Sequence, residues 1–243
     1  MEITPLPELK IENNLLAVAV ATSEYGAFIC SDDTSILHGF GGGPDENPVI
    51  GVAQSLQTYL TYRVDFKYLA QGIPIDAQTS SLPECLWCRS MTVLALARNL
   101  KTPLFGSAGS GPEPGHEHRW TELAARSMTT IASGGHVDVV RPIRPLRPNL
   151  LSPLEIEFCA ELARAMVKNK MSREETNRII MEGLAPRYKP LYDVPSKGRA
   201  AILQGKPFEA LYDLNTLKPS QEHLESYHSA KKELKKLGIK FEW

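Results

Sequence analysis

The chain has 243 residues, of which 42% are hydrophobic and 23% charged, with a formal net charge of -1. That is globular composition, and the near-neutral balance excludes a dedicated nucleic-acid binder, whose footprint is basic. No apolar run approaches the roughly 18 residues of a membrane span, and the acidic, proline-bearing start MEITPLPELKIE is unlike a signal or transit peptide. A cytoplasmic protein is expected, with no membrane or nucleic-acid partner.

The segment ELKIENNLLAVAVATSEYG suits strand or helix, and its length and charged start favour a helix feeding the first strand. That strand is AFICS (27–31), with Asp32 and Asp33 at its end. The cluster HGFGGGPDENP follows. It lacks the Lys-Ser/Thr of a P-loop and does not match the dinucleotide fingerprint, so a tight strand-to-helix turn is the first reading and phosphate binding the second. The next segment places Val49, Val52, Ala53, Leu56 and Leu60 on one helical face. FKYLAQ (66–71), TPLFGSA (102–108) and VDVVR (137–141) are the remaining buried-strand candidates.

Between them lie two helical patterns, one through Leu86, Met91, Leu94 and Leu96, the other through Leu123, Met128 and Ile131. A fourth helix is expected from a cap at Ser152, with Pro153 at its first position and Glu155 completing a capping box. Four alternations of strand and helix predict a parallel α/β protein. Four βα units are too few for a closed eight-stranded barrel of about 250 residues, so the sheet is open or is half a barrel. The expected division is a half-barrel over residues 1–170 and a helical extension over 171–243. The latter holds a capping box at Ser172 and a capped helix ending at Gly238.

Candidate chemistry is sparse. Strand ends hold the reactive groups in parallel α/β proteins, so Asp32 is a candidate for holding a cation or acting as a base. Cys85 and Cys88 have redox-motif spacing, but the helix also needs small apolar residues there and no second pair exists, so a core role is expected. Cys30 and Cys159 complete a set too scattered for a disulfide framework. His116, Glu117 and His118 show no third metal ligand partner beyond their own loop, and no metal is expected. Arg141, Arg144 and Arg147, each followed by proline, would share one face in polyproline II geometry and form an anion- or partner-binding stripe.

Several stretches together resemble the monomethylamine:corrinoid methyltransferases of methanogenic archaea. The match rests on Gly205-Lys206, Phe208, Tyr212-Asp213, Thr216, Pro219 and the KKLGI end, on LPELKIENN, on FICSDD followed by GFGGG, and on AGS and IASG around the third and fourth strands. The resemblance implies the C-terminal half of a (β/α)8 TIM barrel. It implies methyl transfer from a methylamine, in the first place monomethylamine, to the cobalt of a separate corrinoid protein, so no cofactor is expected within this chain. The family's pyrrolysine falls upstream of Met1 and is absent from this sequence. An amber codon read as a stop, or a relative without pyrrolysine, would account for that.

The family's ammonium-binding carboxylate falls on Asp32, while its glutamine and tyrosine fall on Pro103 and Phe105, which carry no polar side-chain group. The expected partners are the cognate corrinoid protein, a small amine, and an upstream half-barrel or a second copy to cover the exposed sheet. The alternative is a non-catalytic or divergent relative that docks a corrinoid protein or uses another methylated substrate.

Overall fold

The computed structural model describes residues 2–3, 10–74, 79–142 and 149–241. Strands and helices alternate from the N-terminus: β1 (Glu2–Ile3), α1 (Asn13–Glu24), β2 (Cys30–Leu37), α2 (Asn47–Thr61), β3 (Phe66–Pro74), α3 (Pro83–Asn99), β4 (Leu104–Ser110), α4 (Arg119–Ala132), β5 (His136–Pro142) and α5 (Pro153–Lys168). The strands form one parallel sheet in the order β1-β2-β3-β4-β5. Sequential order with a helix after each strand is the pattern of an open half-barrel, as expected, although the two-residue β1 was not foreseen. Its shortness leaves no periodicity to read. No described helix is long and apolar enough to cross a membrane.

Two irregularities bend the sheet. Between β2 and β3 the pairing steps from Thr34↔Ala70 to Ile36↔Ile73, and between β4 and β5 from Gly106↔Val137 to Ala108↔Val140. Each is an extra residue on the later strand, the geometry that curves a sheet and re-aims side chains. Gly72 absorbs the first with φ +66°, and a Cβ there would lie 2.8 Å from the Cys85 carbonyl oxygen. Only glycine meets both demands.

Helix α2 departs from expectation. Val49 and Leu60 are 66% and 72% exposed, while Asn47, Gln54, Ser55 and Thr58 are buried. The reason lies in the strand face it covers, where Ser31, Ser35 and Lys67 are polar and fully buried. Ser35 Oγ donates to Asn47 Oδ1 at 2.8 Å, Gln54 Nε2 donates to the Thr34 carbonyl at 3.3 Å, and Lys67 Nζ donates to Thr58 Oγ1. Hydrogen bonding decided the buried face, and Val49, Leu56 and Leu60 of the apolar stripe were left outside while Val52 packs against the Leu69 cluster. Helices α3, α4 and α5 bury most of their expected apolar residues, including Leu86, Leu96, Leu123, Met128, Phe158 and Leu162.

Beyond α5 come α6 (Arg173–Arg178), a π-helical turn (Ile179–Leu184), α7 (Ala185–Tyr188), α8 (Ser196–Ile202), α9 (Phe208–Leu211) and α10 (Gln221–Lys236). Their apolar residues join the α4 and α5 residues in one cluster, from Leu123 and Phe158 to Tyr188, Tyr227 and Leu234. Ser172 and Ser220 cap as expected, accepting from the Glu175 and His223 amides, and Gly238 ends α10 at φ +103°.

Ser152 does not cap. Its hydroxyl instead meets His223 Nε2 at 2.7 Å and Tyr212 Oη at 3.2 Å, and Tyr212 Oη accepts from the Leu154 amide at 3.0 Å in its place. A tertiary contact replaced the local one because the helix start is buried against α9 and α10. Burial depresses the His223 imidazole from 6.5 to about 4. The folded state therefore holds this ring neutral while the unfolded chain takes up a proton. Stability should be full above about pH 6.5 and fall by about 2–3 kcal/mol as pH drops towards 4. Denaturant melts across that window should show the slope, and H223Q should flatten it.

Candidate functional site

The concave side of the sheet carries side chains from alternate strand positions. Asp32 lies there, and the structure corrects its placement: it is the third residue of an eight-residue strand, paired with Tyr68, rather than the residue after the strand. The strand begins and ends later than the apolar run because its polar residues pair with β3 as far as Leu37↔Pro74. Apolarity marked only the first part of the strand. Thr34 Oγ1 donates to Asp32 Oδ1 at 3.2 Å.

A cavity of about 190 Å³ opens on this face, lined by Cys30, Asp32, Phe66, Tyr68, Asp138, Val139 and Arg141. Its shape follows from β4. Phe105, Ser107 and Gly109 occupy alternate positions there, and only Phe105 is large. Phe105 packs edge-on against Phe66 at 5.4 Å and beside His136 at 5.6 Å, closing one end. Farther along, the small residues leave a lane in which Arg141 Nη2 of β5 donates to Tyr68 Oη of β3, at a long 3.5 Å. The β5 bulge places both Asp138 and Val139 against the cavity. Partial burial holds the Asp138 carboxyl above its ordinary range.

Larger grooves lie in the helical layer, such as one of about 290 Å³ beside Trp120. Its charged pair is already engaged, with Arg187 and Glu233 at 2.9 Å. The sheet cavity gathers its charged groups from the strands themselves.

Behind the sheet is a buried polar layer that charge counting missed. Arg89 is fully buried and donates to the carbonyls of Leu69 (2.6 Å) and Ser107 (3.3 Å), and to Thr130 Oγ1 (3.4 Å). Gly106 makes room for it: a Cβ there would stand 2.6 Å from Arg89 Nη1. Burial pushes the Arg89 guanidinium well down and that of Arg126 to about 10, and the dense set of acceptors around them replaces part of the hydration each has lost. Arg126 donates to the Ser107 and Ser80 carbonyls. Glu122 accepts from Tyr192 Oη, from Thr79 Oγ1 at 2.8 Å and from the Gly111 amide at 3.0 Å, and burial raises its carboxyl.

At the mouth, Arg119 Nη1 donates to Ser110 Oγ and to the Pro112 carbonyl, while Nη2 meets Glu155 Oε2 at 2.7 Å, with both side chains fully buried. Glu155 thus serves an ion pair rather than the expected capping box. Burial raises its carboxyl, with Arg119 opposing.

The remaining sequence candidates resolve as follows. Cys85 and Cys88 are buried, and burial pushes both thiols up, Cys88 to about 11. They are core residues, as expected. A thiol titration should find Cys30 reacting in the native protein and Cys85, Cys88 and Cys159 reacting only after denaturation. His116 Nε2 meets the Ile202 carbonyl at 3.0 Å, tying the loop to the end of α8. Among the described residues no group of three or more His, Cys, Asp or Glu could hold a metal ion. In the glycine loop, the amides of His38, Gly41 and Gly42 donate to carbonyls of the same turn, which supports the turn reading over a phosphate cradle. Arg141 lies on β5 and lines the cavity, while Arg144 and Arg147 fall outside the described residues.

Pro103 precedes β4 and uses its carbonyl to accept the Lys67 amide at 2.9 Å. Tyr68, which sequence reasoning missed, brings the only phenol hydroxyl among the cavity's lining residues. Its signal was available: two residues along from Phe66, it shares that residue's face.

The family model for monomethylamine methyltransferase MtmB matches residues 1–239. Similar proteins include monomethylamine methyltransferase MtmB2 of Methanosarcina acetivorans, 26% identical over 99% of this chain and 50% of that protein. MtmB of Methanosarcina mazei is 25% identical with the same coverage. The crystal structure of the Methanosarcina barkeri monomethylamine methyltransferase superposes with a TM-score of 0.85 at 23% identity, covering 99% of this chain and 50% of that one. The chain thus spans about half the length of the relatives it matches.

Proposed function

This chain belongs to the monomethylamine methyltransferase MtmB family, and from that premise we propose that it acts in removing the methyl group from a methylated amine, in methylamine-dependent methanogenesis. The observation that carries the reading is the pairing of Asp32 with Tyr68 at the floor of the concave cavity. A carboxylate there attracts an alkylammonium ion, and the aromatic faces of Phe66 and Tyr68 favour a methylated cation over a hydrated one. The Tyr68 hydroxyl supplies a polar contact that Pro103 and Phe105 do not.

The acceptor in this reading is the cobalt of a corrinoid carried by a partner protein, which supplies the nucleophile. What this chain contributes is position and charge: Asp32 fixes the nitrogen end, Thr34 holds the carboxylate's orientation, and the aromatic wall excludes water beside the methyl group. A further barrel half completes the enclosure.

The test is amine-dependent methylation of a reduced corrinoid protein, followed through the absorbance change at cobalt, with this chain present together with the remainder of its barrel. Turnover with a methylamine and none without this chain is the expected result. Methylation that proceeds equally without it would refute the reading.

A further inference from the structure

The cavity carries both signs of charge, and that bears on what fills it. Asp32 and Asp138 line it together with Arg141. A monomethylammonium ion offers one positive charge. It satisfies a carboxylate, but it gives a guanidinium nothing to bind and is repelled by it. Space points the same way. At about 190 Å³ the cavity exceeds by several-fold the about 30 Å³ that one water occupies in the liquid, and monomethylammonium has only two heavy atoms.

Arg141 is solvent-exposed on this open face, and its guanidinium contacts the hydroxyl of Tyr68, the register partner of Asp32, at 3.5 Å. A planar fork of donors in such a place suits a carboxylate.

Resting on the assignment of Asp32 made above, we propose that the cavity takes a zwitterionic methyl donor of the N-methylated amino acid class. Its ammonium group lies towards Asp32 and Asp138, with the aromatic wall of Phe66 and Tyr68 beside the methyl group. Its carboxylate is received by Arg141. The same residues that orient the nitrogen thus serve a substrate with a second handle, and the guanidinium selects against amines that lack it.

Calorimetric titration of this chain, together with the remainder of its barrel, with methylammonium, N-methylglycine and N-methylglycinamide tests this. The amide keeps the methylated nitrogen and removes the carboxylate charge. N-methylglycine should bind roughly tenfold or more tighter than either other ligand, the worth of a charge-assisted hydrogen-bonded contact. R141Q should bring the ratio of N-methylglycine to its amide to about one, and D32N should weaken N-methylglycine. If the wild-type chain binds N-methylglycine no tighter than its amide, the proposal is overturned. Asp32-dependent methylammonium binding in that same experiment would leave the methylamine reading standing. Binding of none of the three would overturn both. The wild-type ratio decides the matter even if R141Q fails to fold.

Discussion

Replacing Glu155 with alanine should destabilise the chain by about 3–5 kcal/mol, the cost of leaving one member of a buried ion pair uncompensated. Arg119 and Glu155 are both fully buried and meet at 2.7 Å, so the variant strands a guanidinium where water does not reach. Such a loss is a large part of the about 5–15 kcal/mol that holds a domain folded. It should lower the melting temperature by roughly 10 °C or more. The same arginine donates to Ser110 Oγ and the Pro112 carbonyl, so the loop after β4 should loosen as well. E155Q, which keeps an acceptor, should cost less, and the double change R119M/E155M should recover much of the loss because no charge is left alone. An E155A melt within about 0.5 kcal/mol of wild type would show that the pair is not what holds β4 to α5.

The second large effect concerns the reaction. D32N should reduce methyl transfer on the order of 10²–10³-fold, the range found when one preorganised electrostatic contact to a reacting group is removed. The amide preserves shape and hydrogen bonding but not the charge that holds an ammonium ion. D32E restores the charge on an arm one methylene longer, and a smaller loss is expected because the nitrogen is displaced. Asp32 is half-buried, so neither change should move stability by more than about 0.5 kcal/mol. Turnover by D32N within threefold of wild type would remove Asp32 from the site.

Much of the fold was legible in the sequence. Strand-helix alternation gave the parallel sheet, and the cap at Ser172 and the glycine at 238 marked helix ends that the structure keeps. The errors share a cause. Apolarity served as the measure of burial, and this protein buries polar groups heavily. That hid the second part of β2, whose residues Asp32, Thr34 and Ser35 lie beyond the apolar run that marked the strand. It misjudged much of the buried face of α2, where Val49 and Leu60 are exposed. It also hid Arg89, Arg119 and Arg126, because long charged side chains are expected at the surface. A clue was present in α4, where Arg119, Glu122 and Arg126 recur at helical spacing on the side that also bears Leu123. Charges that keep step with the apolar stripe face inward with it. Asp32 became a candidate from its place at the end of an apolar run and from resemblance, whereas Tyr68 and Arg141 needed the register across β4 before they could be seen to meet.

The polar seating of helix α2 has a consequence for how this molecule can change. Two apolar surfaces in contact tolerate sliding, since oil does not point. Asn47, Gln54 and Thr58 each have a named atom on β2 or β3 or on a side chain those strands carry, so the helix has one seating. A substitution at any of the three removes a hydrogen-bond partner from a buried polar atom on the strand that carries Asp32 or on its neighbour, and a matched second change relieves it best. Variation there should proceed in pairs. Val49 and Leu60, on the outside, are free to become lysine or glutamate one at a time, which makes them the natural first positions for raising solubility without touching the face that carries Asp32.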